Sequence, residues 1–561
     1  MGWACRRTNS KGIREDSVFL TKIFRFLRTI RHLKLIQIYF RLISFVYRPS
    51  LRYPHSFELR NASHNWKAPA EREVSLFGGG TFKFLNEEGL LGNNWTDPEK
   101  NKLWLYNLHY FDDLNAKKNI ERKSQHLKLI VNWVEFYKDV RRVGWEPYPT
   151  SLRIVNWIKW LFSGNQLPKF AILNLFAQAR WLRLNLEWHL LGNHLSSNAK
   201  ALIFAGLFFS GKEADKWLFL GKRILRKQLN EQVLNDGAHF ELSPMYHVIF
   251  LEDLLDIYNI SLFYEHKELT ELIPLYVDKM IHWLKNMSHP DGKISFFNDA
   301  AFGVAPENNQ IFQYANRLGF KSIIEEKELQ VLMHSGYAVL RKSSAVVIVD
   351  VGKVGPNYLP GHAHADCLSF EMSINNSRII VNSGTSTYDN SIERLRQRGT
   401  EAHSTLLIDG FNSSEVWSSF RVGRRAKPIF FKATKNKNEI VVGGGHDGYS
   451  FIKGSPRHFR NWILQEKKLL IEDCIVGKGK KKVDIFFHIG QHLLVEMLTK
   501  RSAKIVDKKN KKSFILKSFN CDLKSRTGTW HPEFGKSISM FSLYTSLNIN
   551  LPCKINFSIE W

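Results

Sequence analysis

A chain of 561 residues, 44% hydrophobic and 24% charged, holds enough apolar side chains for a large core. That composition excludes a disordered, collagen-like or small disulfide-stapled protein. Lys and Arg outnumber Asp and Glu by 80 to 53, and the formal charge of +27 favours a polyanionic partner: nucleic acid, an anionic membrane face or an acidic polysaccharide.

Residues 1–75 read as a basic, partly helical extension. Apolar residues between Val18 and Tyr47 are interrupted by Lys22, Arg25, Arg28, Arg31, Lys34 and Arg41. No uncharged run is long enough for a cleavable signal or a membrane span, so these residues point to a cytoplasmic or membrane-peripheral chain. Basic residues at every third position drift around a helix and give a broad charged face. Such a helix lies on a membrane surface or docks on the protein body.

Over residues 76–330 the apolar period is helical. Leu127, Ile130, Val131, Val134 and Tyr137 share one face, and Leu152, Val155 and Trp160 another. Further helical blocks span 170–209, 216–234, 247–260 and 269–287, separated by turns such as Asn235-Asp236-Gly237 and His289-Pro290-Asp291-Gly292. A bundle, a solenoid and an α/α toroid all fit. Over residues 331–561 the texture changes to short β-branched and alternating runs, among them 337–340, 345–351, 429–432, 483–488 and 547–561. Turn signals between them predict an antiparallel β-sandwich, with Lys478–Lys482 as a short basic loop. The fold class is therefore α+β and multidomain, helices before sheets.

The densest polar constellation is Gly361-His362-Ala363-His364-Ala365-Asp366. In extended backbone His362 and His364 point to one side, so one can ligate a metal while the other exchanges protons, or the pair is structural. Asn382 and His403 each follow or precede a strand-like run. Neighbouring strands can unite His364, Asn382 and His403 into two imidazoles and an oxygen, a zinc-like set in which the amide is the poorer ligand. In the helical half, the Asn193-His194 pair inside an apolar block is a core pair or a substrate clamp. Tyr246 follows Pro244 in a first helical turn, where a side chain can face a cleft. Trp104, Tyr106, Tyr110, Trp145 and Tyr148 are candidates for stacking on sugar rings, or for core. No GxSxG, P-loop, strand-borne GxGxxG or HExxH occurs, and no DNA- or RNA-binding motif accompanies the charge, which argues against nucleic acid. The cysteines Cys5, Cys367, Cys474, Cys521 and Cys553 form no CxxC pair, so neither a zinc ribbon nor a disulfide framework is expected.

In chain order, WLYNLHYFDDL (104–114), GNHLSSNAKAL (192–202), DGAHFELSPMY (236–246), GHAHADCLSFE (361–371) and the stretch 394–425 resemble the heparinase II/III family of polysaccharide lyases. The first 75 residues lie outside the resemblance. It implies an incomplete α/α toroid followed by an antiparallel β-sandwich, a periplasmic location, and β-elimination at a uronic acid. Asn193 and His194 then resemble the group that neutralises the substrate carboxylate, Tyr246 the catalytic tyrosine, and His362 the histidine base. Tyr246 itself is the alternative base, depending on the uronate epimer. His364 and His403 resemble ligands of one structural zinc whose third ligand is commonly an Asp; here Asn382 stands in that place, and the alternative is a hydrogen-bonded scaffold. Arg394, Arg396, Arg398 and Arg421 are candidate cationic walls. The expectation is a lyase acting on an acidic uronate glycan in cell-surface polysaccharide metabolism, with peripheral membrane contact through the basic N-terminus. A uronyl C5-epimerase is the nearest alternative, and a catalytically silent glycan-binding or assembly protein the other.

Overall fold

The structure, a computed structural model, describes residues 23–47, 49–92, 95–321 and 326–561. Prolines and strained turns set the helix boundaries of the first half. Pro147 and Pro244 occupy the first turns of Pro147–Phe162 and Pro244–Phe263, where a missing N–H costs nothing. Pro274 separates Lys267–Leu272 from Pro274–Asn286, so the block expected at 269–287 is two helices. The block expected at 170–209 also divides, into Lys169–Leu184 and Gly192–Phe208. Leu191 and Gly192, at φ 63° and 55°, turn the chain between them. Trp104, Trp133, Trp145, Trp157 and Trp160 all enter one helical core with essentially no exposure.

The last helix of this half, Asn308–Arg317, is followed by strands. Among the described residues, Leu329–Leu332, Tyr337–Lys342, Ala345–Asp350, Phe370–Ile374 and Ser377–Ile380 form an antiparallel meander. It faces a larger antiparallel sheet whose spine is the pair Lys468–His488 and Ile538–Glu560. Val347, Phe370 and Met372 of the first sheet meet Trp462, Ile471 and Phe487 of the second in a common core. Phe370 lies 6.2 Å from Trp462 and 6.4 Å from Phe487, ring centre to ring centre. The fold is thus the expected α+β arrangement, an incomplete α/α toroid followed by an antiparallel β-sandwich. Lys478–Lys482, expected as a loop, lies inside the Lys468–His488 strand, where a bulge between Ile475 and Gly479 absorbs the irregularity.

Two features fix the seam between the halves. Val381, Trp530, Phe534 and Met540 of the sandwich half pack into the helical core. The N-terminal segment, residues 23–30 followed by the helix Leu35–Val46, crosses the seam from outside. Arg25 and Arg28 donate to Glu415 of the sandwich half, Lys34 pairs with Glu231 of the helical half, and Phe40 stacks 5.9 Å from Trp188. The segment is docked on the body, while Leu35, Tyr39 and Val46 face outward. Among the described residues no helix is long and apolar enough to cross a membrane.

Candidate active site

A cavity of about 1110 Å³ opens at the seam, and Asn193, His194, Tyr246 and His362 all line it. Tyr246 is placed by its helix start. Ser243 caps Pro244–Phe263, accepting from the Tyr246 N–H at 3.3 Å, and donates its own hydroxyl to the Asp299 carbonyl. The Tyr246 ring then lies 4.0 Å from the His362 ring, centre to centre. Tyr388, which the sequence reading did not single out, joins them. Its hydroxyl is 3.0 Å from the Tyr246 hydroxyl and 3.5 Å from His362 Nδ1. No spacing or motif marks Tyr388, and only the chain path from Ile380 to Ile392 brings it back.

Asp299 is the second residue that the sequence concealed. Its carboxylate is fully buried and accepts from His362 Nδ1 at 2.9 Å, from His364 Nε2 at 2.7 Å and from both terminal nitrogens of Arg394. Burial opposes its charge, but Arg394 and the two imidazoles outweigh burial and hold the carboxyl well below its ordinary range. An ionised acceptor on Nδ1 fixes the His362 proton there and leaves Nε2 as the basic nitrogen. That nitrogen lies 3.7 Å from Glu241 Oε2, a buried oxygen with no hydrogen-bond partner among the described residues. Burial pushes the Glu241 carboxyl up, against the opposing pull of His362 and His194.

The turn that splits the helices places Asn193 and His194 in the cavity lining. Gly192 has φ +55°, and a Cβ there would lie 2.3 Å from Leu359 Cδ2 and 3.2 Å from Glu241 Oε1, so no side chain fits. Asn193 follows at the helix start with its Oδ1 buried and without a partner among the described residues. His194 Nδ1 is 2.9 Å from Glu187 Oε1, and Asn198 anchors that carboxylate by donating to Oε2 at 3.0 Å. Burial disfavours charge on His194, yet Glu187 overrides it and raises the imidazole above its usual value. Tyr246 is pushed well above the ordinary phenol range by burial, then by Tyr388, Asp299 and Glu241. It stays protonated across the physiological range.

Other candidates fall elsewhere. Trp104 and Trp145 do not reach the cavity: both are buried, their indole N–H groups donating to the carbonyls of Glu87 and Tyr137 at 3.1 Å. The apolar surface of an indole in a helical block makes such burial the favourable outcome. Tyr110, with Tyr106 and Tyr148, does line the cavity. Arg394 and Arg398 are not cationic walls, because both are buried and committed. Arg394 holds Asp299, and Arg398 donates to the carbonyls of Ala363 and Ser418 at 2.9 Å each. Arg396 is bonded to Glu393, whereas Arg421 faces the cavity.

The expected zinc ligands are neighbours, with His364 Nδ1 and His403 Nε2 3.2 Å apart. Asn382, however, donates its amide to the Phe296 carbonyl at 2.9 Å and accepts from the Ser404 N–H at 3.3 Å. Among the described residues no group of three or more His, Cys, Asp or Glu side chains is placed to hold a metal ion. The spacing of the two imidazole nitrogens suits a hydrogen bond or two ligands of one zinc ion alike, but the third expected donor is an amide already engaged by backbone, which leaves the tetrahedron incomplete. All three side chains are buried and hydrogen-bonded.

The chain is 28% identical over 321 residues to a heparin-sulfate lyase of Bacteroides stercoris, covering 53% of this chain and 46% of that protein. It is also 25% identical over 379 residues to the FtsZ-localized protein C of Caulobacter vibrioides, covering 65% and 63%. The chain spans about half the length of the heparin-sulfate lyases it matches. A solved structure of heparinase III superposes with a TM-score of 0.69 at 20% identity, over 84% of this chain and 79% of that one. A model of the heparinase II/III N-terminus matches residues 106–318 and a heparinase II/III-like C-terminal model matches residues 325–557, and the chain belongs to the heparinase II/III-like family.

Proposed function

We propose that this protein is a polysaccharide lyase, a carbon–oxygen lyase that cleaves an acidic uronate-containing glycan by β-elimination. The observation that carries the reading is the pair of Tyr246 and His362, 4.0 Å apart between ring centres, in a cavity that Asn193 and His194 also line. A uronate C5–H is weakly acidic because its carboxylate resists further negative charge. His194 and the Asn193 amide N–H groups stabilise that carboxylate as charge develops; removing one such donor ordinarily costs about 10²–10³ in rate. His362 Nε2 takes the C5 proton, and the C5–H electron pair forms the C4–C5 double bond. The C4–O4 bond breaks, and the departing O4 takes the Tyr246 proton. The raised Tyr246 and the fixed His362 tautomer support this division, with phenol as acid and imidazole as base. No step runs through a metal; zinc at His364 and His403 is a structural proposal that needs a donor beyond Asn382.

Relatives named heparin-sulfate lyase support a glycosaminoglycan as the substrate class. Incubation with heparan sulfate, hyaluronan and other uronate polymers tests the reading. The wild type produces the ultraviolet absorbance of an unsaturated uronate on at least one of them, and Tyr246→Phe does not. Solvent deuterium entering C5 of an uncleaved chain would instead establish the epimerase. The outward apolar residues Leu35, Tyr39 and Val46 of the Leu35–Val46 helix support a peripheral contact with a membrane surface. Co-sedimentation with anionic vesicles that persists after removal of residues 1–47 would sink that part.

A further inference from the structure

Residues 23–47 lie outside both family models, yet they form a wall of the active-site cavity. Ile38, Arg41, Leu42 and Phe45 recur at helical spacing along Leu35–Val46, and all four line the cavity. The segment is strapped to both halves. Towards the sandwich, Glu415 accepts from Arg25 and Arg28, and the Trp417 indole donates to Thr29 Oγ1 at 3.1 Å. Towards the toroid, Lys34 pairs with Glu231 and its ammonium lies 3.9 Å from the centre of the Tyr358 ring.

The strap adds one cation to a cavity that the sandwich half already supplies with another. The short hairpin Val416–Trp417 and Arg421–Val422, which grips Thr29, also carries Arg421, whose side chain lines the cavity together with Arg41. Among the described residues neither guanidinium has a carboxylate partner, although Arg394, Arg396 and Arg28 nearby all do. Partial desolvation of Arg421, which keeps an exposed surface, and then the charge of Arg41 make Arg421 easier to deprotonate. Like charges kept facing one cavity without a counter-charge are relieved by an anion.

We propose that Arg41 and Arg421 form a second anion subsite, built by the N-terminal segment, that holds the carboxylate or sulfate of a sugar neighbouring the one that undergoes elimination. The identity of the ligand rests on the lyase reading; the site itself does not. A guanidinium fork takes either oxyanion through two parallel hydrogen bonds. A subsite remote from C5 and O4 contributes equally to ground and transition states, so it acts on KM rather than kcat. The N-terminal segment thereby selects glycans charged on adjacent residues.

Steady-state kinetics of wild type, Arg41→Ala, Arg421→Ala and the double variant test this on a heparan sulfate tetrasaccharide and its desulfated counterpart. Both side chains are exposed, so the fold tolerates their loss. Each single variant raises KM about tenfold with kcat within about twofold, the loss of one charge-assisted contact. An effect confined to the sulfated sugar identifies sulfate as the ligand, and an effect on both identifies the carboxylate. Calorimetric titration of the same tetrasaccharide into Tyr246→Phe, with and without Arg41→Ala and Arg421→Ala, separates this claim from the lyase claim. Tenfold weaker binding per arginine supports the subsite even where no elimination occurs; equal binding, or an unchanged KM in the double variant, overturns it.

Discussion

The Tyr388 hydroxyl sits 3.0 Å from the Tyr246 hydroxyl, so the phenol assigned to protonate O4 is hydrogen-bonded to a second phenol. The two are placed unequally: the Tyr246 ring lies 4.0 Å from the His362 ring and the Tyr388 ring 5.6 Å from it, centre to centre. Tyr246→Phe removes the acid and lowers kcat by about 10²–10⁴. Tyr388→Phe removes one neutral hydrogen bond and lowers kcat by about tenfold. Steady-state kinetics decide the point; equal losses would make Tyr388 the proton donor.

Arg394 acts through Asp299 and not on the substrate. Arg394→Ala leaves a buried, uncompensated carboxylate and destabilises the protein by about 3–5 kcal/mol, read from the denaturant midpoint. The pH dependence has a definite sign. The Asp299 carboxyl is depressed in the folded state, so its contribution is present above its ordinary value of 3.8 and is lost as pH falls through the folded value. Arg394→Ala therefore shifts acid unfolding to higher pH. A cationic wall would instead raise KM and leave the midpoint unchanged.

His194 sets the alkaline side of the activity profile. Glu187 outweighs burial and raises its pKa above 6.5, so the positive charge on His194 is lost as pH rises through the folded value. The accompanying stability is fully present below 6.5 and disappears over the same rise. Glu187→Gln removes the ion pair and moves the alkaline limb of kcat/KM to lower pH. A limb that stays in place in this variant would assign it to another group.

The scaffold of His364, His403 and Asn382 predicts indifference to chelators. Dialysis against EDTA leaves kcat within about twofold, since an amide engaged by the Ser404 and Phe296 backbone is a weak zinc ligand. A loss of activity that zinc restores would place a metal between the two imidazoles after all.

Helix and strand textures were legible because their periods differ, and the order of the motifs carried the toroid-then-sandwich architecture. Pro244 and Ser243 marked the helix start that aims Tyr246. The failures have one physical origin, which is that pattern does not reveal what a side chain meets. Trp104 and Trp145 looked like sugar platforms, but their indoles enter the core. Arg394 and Arg398 looked like surface cations, but the chain folds back over them. Asp299 and Tyr388 carry no periodic or spacing signal at all, since their contacts with His362 span 63 and 26 residues. The N-terminal segment was legible as basic and helical; its place over the cavity depends on Glu415 and Glu231, hundreds of residues away.

Mass spectrometry of a defined uronate tetrasaccharide digested in deuterated water tests the eliminase account most directly. After exchangeable deuterium is washed out in ordinary water, the account predicts two fragments whose masses sum to that of the parent, one bearing the C4–C5 double bond, and no digestion by Tyr246→Phe. Fragments that together exceed the parent by one water, or an intact chain carrying deuterium at C5, would contradict it.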